Sequence, residues 1–217
     1  MQGVRHALEP DHLAAVSTLA HERPGARGGF WLGASWGLGH TVALVLVGGT
    51  LAALGAELPP RFGALFELVV GVMLVGLGAR TMVHAVREGR EGAHHLHHHG
   101  ATAHAHAAPR AHVHAGRFTL SARPLVIGLV HGLAGSGALS ALVIAELPDS
   151  SSRLAFIVLF GLGSVLGMAV LTALVGTPLA RLHRAGAWAT RLMLAIGALS
   201  VLLGTWWAVD SACALAG

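Results

Sequence analysis

Apolar residues fill the chain in long runs that show neither the two-residue alternation of a strand nor a narrow helical stripe. No Asp, Glu, Lys or Arg occurs between Arg27 and Glu57, between Arg123 and Glu146, between Arg153 and Arg181, or between Arg191 and Asp210. At about 1.5 Å of rise per helical residue, runs of this length can cross a hydrocarbon core about 30 Å thick. Two further segments join them: Phe62 to Ala79, which carries Glu67, and Gly3 to Ala20, apolar except for Arg5, His6, Glu9, Asp11 and His12. The N-terminal segment has no basic region followed by a clean apolar core and a small-residue cleavage site, so it is expected to be a span and not a signal peptide. The pattern predicts an all-α, polytopic integral membrane protein with six transmembrane helices.

Composition agrees with this pattern. The chain is 54% hydrophobic and 11% charged, where a soluble domain carries about 25% charged residues. Its net charge of +4 would admit a nucleic-acid partner, but every cation is an Arg scattered among apolar runs, so none is expected. Most of these arginines (Arg23, Arg27, Arg80, Arg87, Arg90, Arg110, Arg117, Arg123, Arg181, Arg184 and Arg191) follow the first, third and fifth predicted helices, and only Arg5, Arg61 and Arg153 fall on the other face. Short cytoplasmic loops retain positive charge. The expected location is therefore a prokaryotic inner membrane, with both termini outside and the loop 88–122 in the cytoplasm. Trp31 and Trp188 on one face and Trp206 and Trp207 on the other fit interfacial belts, with Trp36 a turn deeper. Cys213 is the single cysteine, which rules out an intrachain disulfide and a membrane dithiol shuttle.

The two halves resemble each other. Gly3, His6 and Leu8 fall on Gly128, His131 and Leu133, and Gly37-Leu38-Gly39 falls on Gly161-Leu162-Gly163. In the third helix Leu68, Gly71, Val75, Leu77 and Gly78 fall on Leu194, Gly197, Val201, Leu203 and Gly204. Three spans per copy forces the second copy to insert upside down, so a 3+3 inverted repeat is expected, with the substrate site at its axis. The domain boundaries follow: 1–87 and 123–217 as three-helix repeats, separated by 88–122. Gly33/Gly37 and Gly163/Gly167 would allow close backbone approach.

Ionisable groups inside a span cost several kcal/mol unless they face a cavity, a partner or a ligand. The first helix holds a cluster of them, Arg5-His6-Ala7-Leu8-Glu9-Pro10-Asp11-His12. Pro10 has no amide hydrogen, so a helix through this point must kink and leave the His6 carbonyl free. That break lets His6, Glu9, Asp11 and His12 converge although a regular helix would scatter them. Two imidazoles with one or two carboxylates suit a borderline divalent ion such as Ni(II), Co(II) or Zn(II). His40 in the second helix and His131 in the fourth, the repeat mate of His6, complete the candidate ligand set of His6, Glu9, Asp11, His12, His40 and His131. Neutral imidazole is the ligand form, so acid is expected to weaken binding. Glu67 is expected to reach the interface or pair with Arg61.

Between residues 94 and 114 lie His94, His95, His97, His98, His99, His104, His106, His112 and His114 among Ala and Gly. Such a segment cannot bury enough apolar surface to fold alone and is expected to be disordered. Its imidazoles suit a cytosolic metal buffer or sensor, the alternative being a dispensable linker.

The run Arg5 to His12, followed by Leu-Ala-Ala, resembles the Arg-His-Ala-x-Asp-Ala-Asp-His signature of the nickel/cobalt transporter superfamily, with Glu9 for the first Asp and Pro10 for Ala. Gly39-His40-Thr41 resembles that family's Gly-His-Ser/Thr motif. The extra helix that precedes the signature in eight-span members is not expected here, and His131-Gly-Leu-Ala-Gly-Ser-Gly replaces the family's later acid-bearing motif, a form similar to the shorter six-span nickel permeases associated with urease. The resemblance implies transport of Ni(II) or Co(II), most simply as uptake, with no resident cofactor. Efflux stays open, as do a homo-oligomer and a cytosolic metallochaperone as partners. Two readings of other classes compete: a haem-bearing electron-transfer subunit, since axial histidines also sit inside membranes, and a metal sensor acting through the His-rich loop. No metalloprotease or nucleophile motif occurs, so no enzyme is expected.

Overall fold

A computed structural model describes residues 2–19, 25–54, 58–91, 112–115, 118–133, 147, 149–182 and 187–216. The N-terminal segment forms two short helices, α1 (Gln2–His6) and α2 (Pro10–Leu19). Pro10 stands at the first position of α2, where its missing N–H is not needed, and the Glu9 carbonyl accepts the opening bond from the Leu13 amide at 2.9 Å. In the intervening turn the Leu8 amide donates to the Arg5 carbonyl at 3.0 Å and the Glu9 amide to the His6 carbonyl at 3.1 Å. The expected kink is thus a full break, and the His6 carbonyl, expected free, is satisfied by tight three-residue turn bonds.

Four long helices follow: α3 (Ala26–Leu54), α4 (Pro60–Glu91), α6 (Ser150–Leu182) and α7 (Ala187–Ala216), with the shorter α5 (Ala122–Gly132) between α4 and α6. Within the long four, Ala26–Leu51, Pro60–Arg87, Ser151–Pro178 and Trp188–Ala216 are long and apolar enough to cross a membrane. Six such helices were expected. The first expected span is the broken α1–α2 pair, neither half of which reaches across alone. The fourth begins as α5, and residues 134–146 of it lie outside the described residues.

Parts of the loop 88–122 take regular structure. Helix α4 continues to Glu91 through Arg- and Glu-rich sequence without proline, and β1 (His112–Ala115) pairs antiparallel with β2 (Phe118–Ser121), His112 opposite Ser121 and Ala115 opposite Phe118. The β-branched and aromatic Val113, Phe118 and Thr119 favour strands. Residues 92–111, with most of the loop histidines, lie outside the described residues.

Helix α4 packs along α7, α3 along α6 and α5, and α1 against α6. These seams are built on glycine. A methyl group at Gly71 would come within 2.8 Å of the Gly204 carbonyl, and one at Gly204 within 2.6 Å of the Gly71 carbonyl. Gly78 and Gly197 meet in the same reciprocal way, at 2.5 and 2.8 Å. On the other seam, a Cβ at Gly128 would collide with the Trp36 carbonyl, and one at Gly3 with the Phe160 carbonyl. The inner faces enclose Ala15, Val16, Leu19, Leu32, Trp36, Leu74 and Met168, while Leu46, Leu159, Leu174, Leu199 and Leu202 stand exposed on the outside. An apolar exterior this extensive belongs in lipid.

Outside the apolar spans, Asp149 caps α6. Its carboxylate accepts from the Ser152 amide at 2.7 Å and from the Ser151 and Ser152 hydroxyls, and these bonds hold its pKa down at about 2. Because the folded pKa lies below the unfolded one, the cap stabilises above about pH 4 and is lost as pH falls towards 2.

The seams give a direct contrast. Gly78→Leu forces α4 off α7 and should destabilise the protein by about 1–3 kcal/mol, read as a lower melting temperature in detergent. Gly76→Leu, where an added Cβ meets nothing within 4 Å, should leave it unchanged or slightly raised.

Candidate metal centre

The break after His6 decides where the polar side chains go. It leaves His6 at the end of α1 and sets Asp11 and His12 in the first turn of α2, so that residues five and six positions apart meet. Glycines bring the other two partners in. Gly128 and Gly132 lay α5 directly on the α3 backbone at Trp36 and His40, which carries His131 over His40. Gly3 does the same for α1 on α6.

The result is one buried cluster. His6, Asp11, His12, His40 and His131 are each at most 7% exposed. Ring centroids lie 4.3 Å apart for His6 and His12, 4.3 Å for His12 and His131, 4.8 Å for His6 and His40, 5.2 Å for His12 and His40, and 6.2 Å for His40 and His131. Donor atoms of His6, His12 and His40 all lie within 4.8 Å of one another, and so do those of Asp11, His12 and His131. Asp11 Oδ1 sits 3.0 Å from His12 Nδ1, and Asp11 Oδ2 sits 2.7 Å from His131 Nε2. His6 Nε2 is 2.9 Å from His40 Nε2. His12 thus belongs to both groups and joins them.

Several buried atoms have no hydrogen-bond partner among the described residues: His12 Nε2, His40 Nδ1, His131 Nδ1, Trp36 Nε1 and Ser164 Oγ. An unsatisfied buried polar atom costs about 1–3 kcal/mol, so their concentration here marks a place prepared for a ligand. Imidazole nitrogens beside a carboxylate are donors for a borderline divalent transition metal.

Five of the six residues singled out from the sequence come together. Glu9 does not enter either donor group: it lies on the outward side of the turn, 48% exposed, with Oε1 3.0 Å from His6 Nδ1. Glu67 stays half-buried on α4, outside both groups.

Sequence reasoning missed three neighbours. Trp36 has its ring 5.4 Å from His12 and 5.6 Å from His131, and its spacing of four residues from His40 on one helix was the available signal. Phe160 lies 5.7 Å from His6. Ser164, wholly buried, falls opposite His40 when the register pairing Gly37-Leu38-Gly39 with Gly161-Leu162-Gly163 is carried one residue further.

The geometry makes a stability prediction. His131→Ala takes from the buried Asp11 carboxylate one of its two donors, a loss of about 1.5–3 kcal/mol for a bond to a charged group. His131→Gln, whose amide can still donate, should recover part of it in thermal unfolding of the metal-free protein.

Among known proteins, the chain is 31% identical over 182 residues to the urease accessory protein UreH of Bacillus sp. (strain TB-90), covering 81% of this chain and 73% of that protein. No family model and no solved structure matches it.

Proposed function

The chain belongs to the family of the urease accessory protein UreH, and on that premise we propose that it is a nickel permease that carries Ni(II) inward across the cell membrane. It is not an enzyme but a multi-pass membrane accessory protein. The observation that carries the transport reading is the buried cluster of four imidazoles and a carboxylate, contributed by α1, α2, α3 and α5 inside an apolar bundle. Such a cluster in a bilayer marks an ion pathway. Its N/O donors, without thiolate, suit Ni(II) and Co(II), and the similarity to urease-associated permeases favours nickel. A haem would need a slot between two axial imidazoles, whereas these rings touch or nearly touch one another.

Reciprocal contacts support six spans arranged as an inverted repeat. The register that pairs Gly71 with Gly197 and Gly78 with Gly204 turns the Gly71–Gly204 contact into the Gly197–Gly78 contact, and both are present. The registers of the other two helices, which pair His6 with His131 and Gly37 with Gly161, likewise turn His131 against Trp36, at 5.6 Å, into His6 against Phe160, at 5.7 Å. The ion would exchange water for imidazole nitrogen at the repeat axis, and rocking of one repeat against the other would open the site inward. Both termini lie outside, and the His-rich loop, in the cytoplasm, receives the ion for a metallochaperone.

In cells expressing the protein, His12→Ala and His40→Ala should each lower radioactive nickel uptake at least tenfold, while deletion of residues 94–111 should keep most of it. Wild-type uptake in both point variants would remove the assigned site. Cys213 is exposed and free. A membrane-impermeant maleimide should label it in intact cells and not in the Cys213→Ala control; labelling only after lysis would reverse the orientation.

A further inference from the structure

Resting on that transport reading, we infer that Asp11 is a positioning residue and not an ion ligand: it holds His12 and His131 in opposite tautomers, so that the ion meets imidazole nitrogens alone. An ionised carboxylate can only accept hydrogen bonds. Its two oxygens face His12 Nδ1 at 3.0 Å and His131 Nε2 at 2.7 Å, which places a proton on each of those nitrogens. In a neutral imidazole the other nitrogen then keeps its lone pair. Those other nitrogens, His12 Nε2 and His131 Nδ1, are two of the buried atoms without a partner.

The same logic runs through a second chain of bonds. Glu9 Oε1 lies 3.0 Å from His6 Nδ1, which puts the His6 proton there and leaves Nε2 as an acceptor. His40 Nε2, 2.9 Å away, must then donate, and the lone pair of His40 falls on Nδ1, the third unpartnered imidazole nitrogen. With each ring in the neutral form that binds metal, every proton is used once, and three lone pairs remain on three rings from α2, α3 and α5.

Leaving three buried acceptors without donors is costly, and a divalent cation would remove that cost at each one it binds. Both Asp11 oxygens are already engaged by imidazole N–H groups, the arrangement by which outer carboxylates fix the tautomer of metal-binding histidines and raise their basicity. The consequence is selectivity. Neutral imidazole nitrogens without a carboxylate oxygen suit Ni(II), Co(II), Cu(II) and Zn(II), and offer little to Mg(II), Ca(II) or Mn(II), which prefer oxygen.

The test uses the full chain purified in detergent, metal-free and labelled with 15N-histidine. Nuclear magnetic resonance should show His12 only as the Nδ1–H tautomer and His131 only as the Nε2–H tautomer; the opposite tautomer, or a doubly protonated ring, at either position overturns the assignment. X-ray absorption with Ni(II) should count at least two imidazoles on the metal. In Asp11→Asn the amide donates on one side and forces one ring to carry its proton on the ligating nitrogen. The count should drop by one and affinity for Ni(II) should fall about 10–100-fold. A weaker Ni(II) complex with the imidazole count unchanged would instead make Asp11 a ligand. Failure of the wild-type protein to bind Ni(II) would defeat the transport reading, while the tautomers, recorded without metal, would still decide the role of Asp11.

Discussion

A carboxylate inside an apolar bundle must find donors, and that requirement organises this protein. Moving an ion of this kind out of water costs several kcal/mol even after relaxation, and Asp11 offsets the cost through two imidazoles from different helices, His12 beside it and His131 on α5. One bond is local and the other joins the two halves of the chain. The polar cluster is therefore a cross-brace as well as the proposed binding site.

The cluster sits where it does because the backbone is broken in one place and bare in others. The break at residues 7–9 turns a scattered helical pattern into a convergent one, and Gly3, Gly128 and Gly132 let α1 and α5 come down onto α6 and α3. Donors on four separate helices then share one small volume without a loop to position them. Sites carried on regular elements hold their geometry better than sites on loops, which suits an ion whose hydration shell must be replaced ligand by ligand.

Much of this was legible from the residues. Long uncharged runs predicted α3, α6 and α7, the apolar segment around Glu67 predicted α4, and five of the six polar candidates meet, because buried charge in an apolar segment is too costly to be incidental. The break itself was readable from Pro10, but its depth was not: proline predicts a lost bond, while the tight turn that satisfies the His6 carbonyl depends on how α1 seats on α6. Glu9 was misplaced for the same reason, since the turn rotates it outward. Trp36 was placed a turn deeper than the interfacial tryptophans but not joined to the cluster, although four positions separate it from His40, a spacing that puts both on one face. The hairpin at 112–121 was hidden by the histidines around it, whose composition outweighed the short strand-forming stretches.

The glycine seams have one more consequence. Where helices touch backbone to backbone, as at Gly71 and Gly204 or Gly78 and Gly197, each carbonyl fills the gap that a side chain on its partner would occupy, and the Ser200 hydroxyl, donating to the Leu74 carbonyl, pins the same contact. Among the described residues, neither α4 nor α7 supplies a donor to the polar cluster. A bulky residue on this seam would therefore reach the histidines only by respacing the bundle around them.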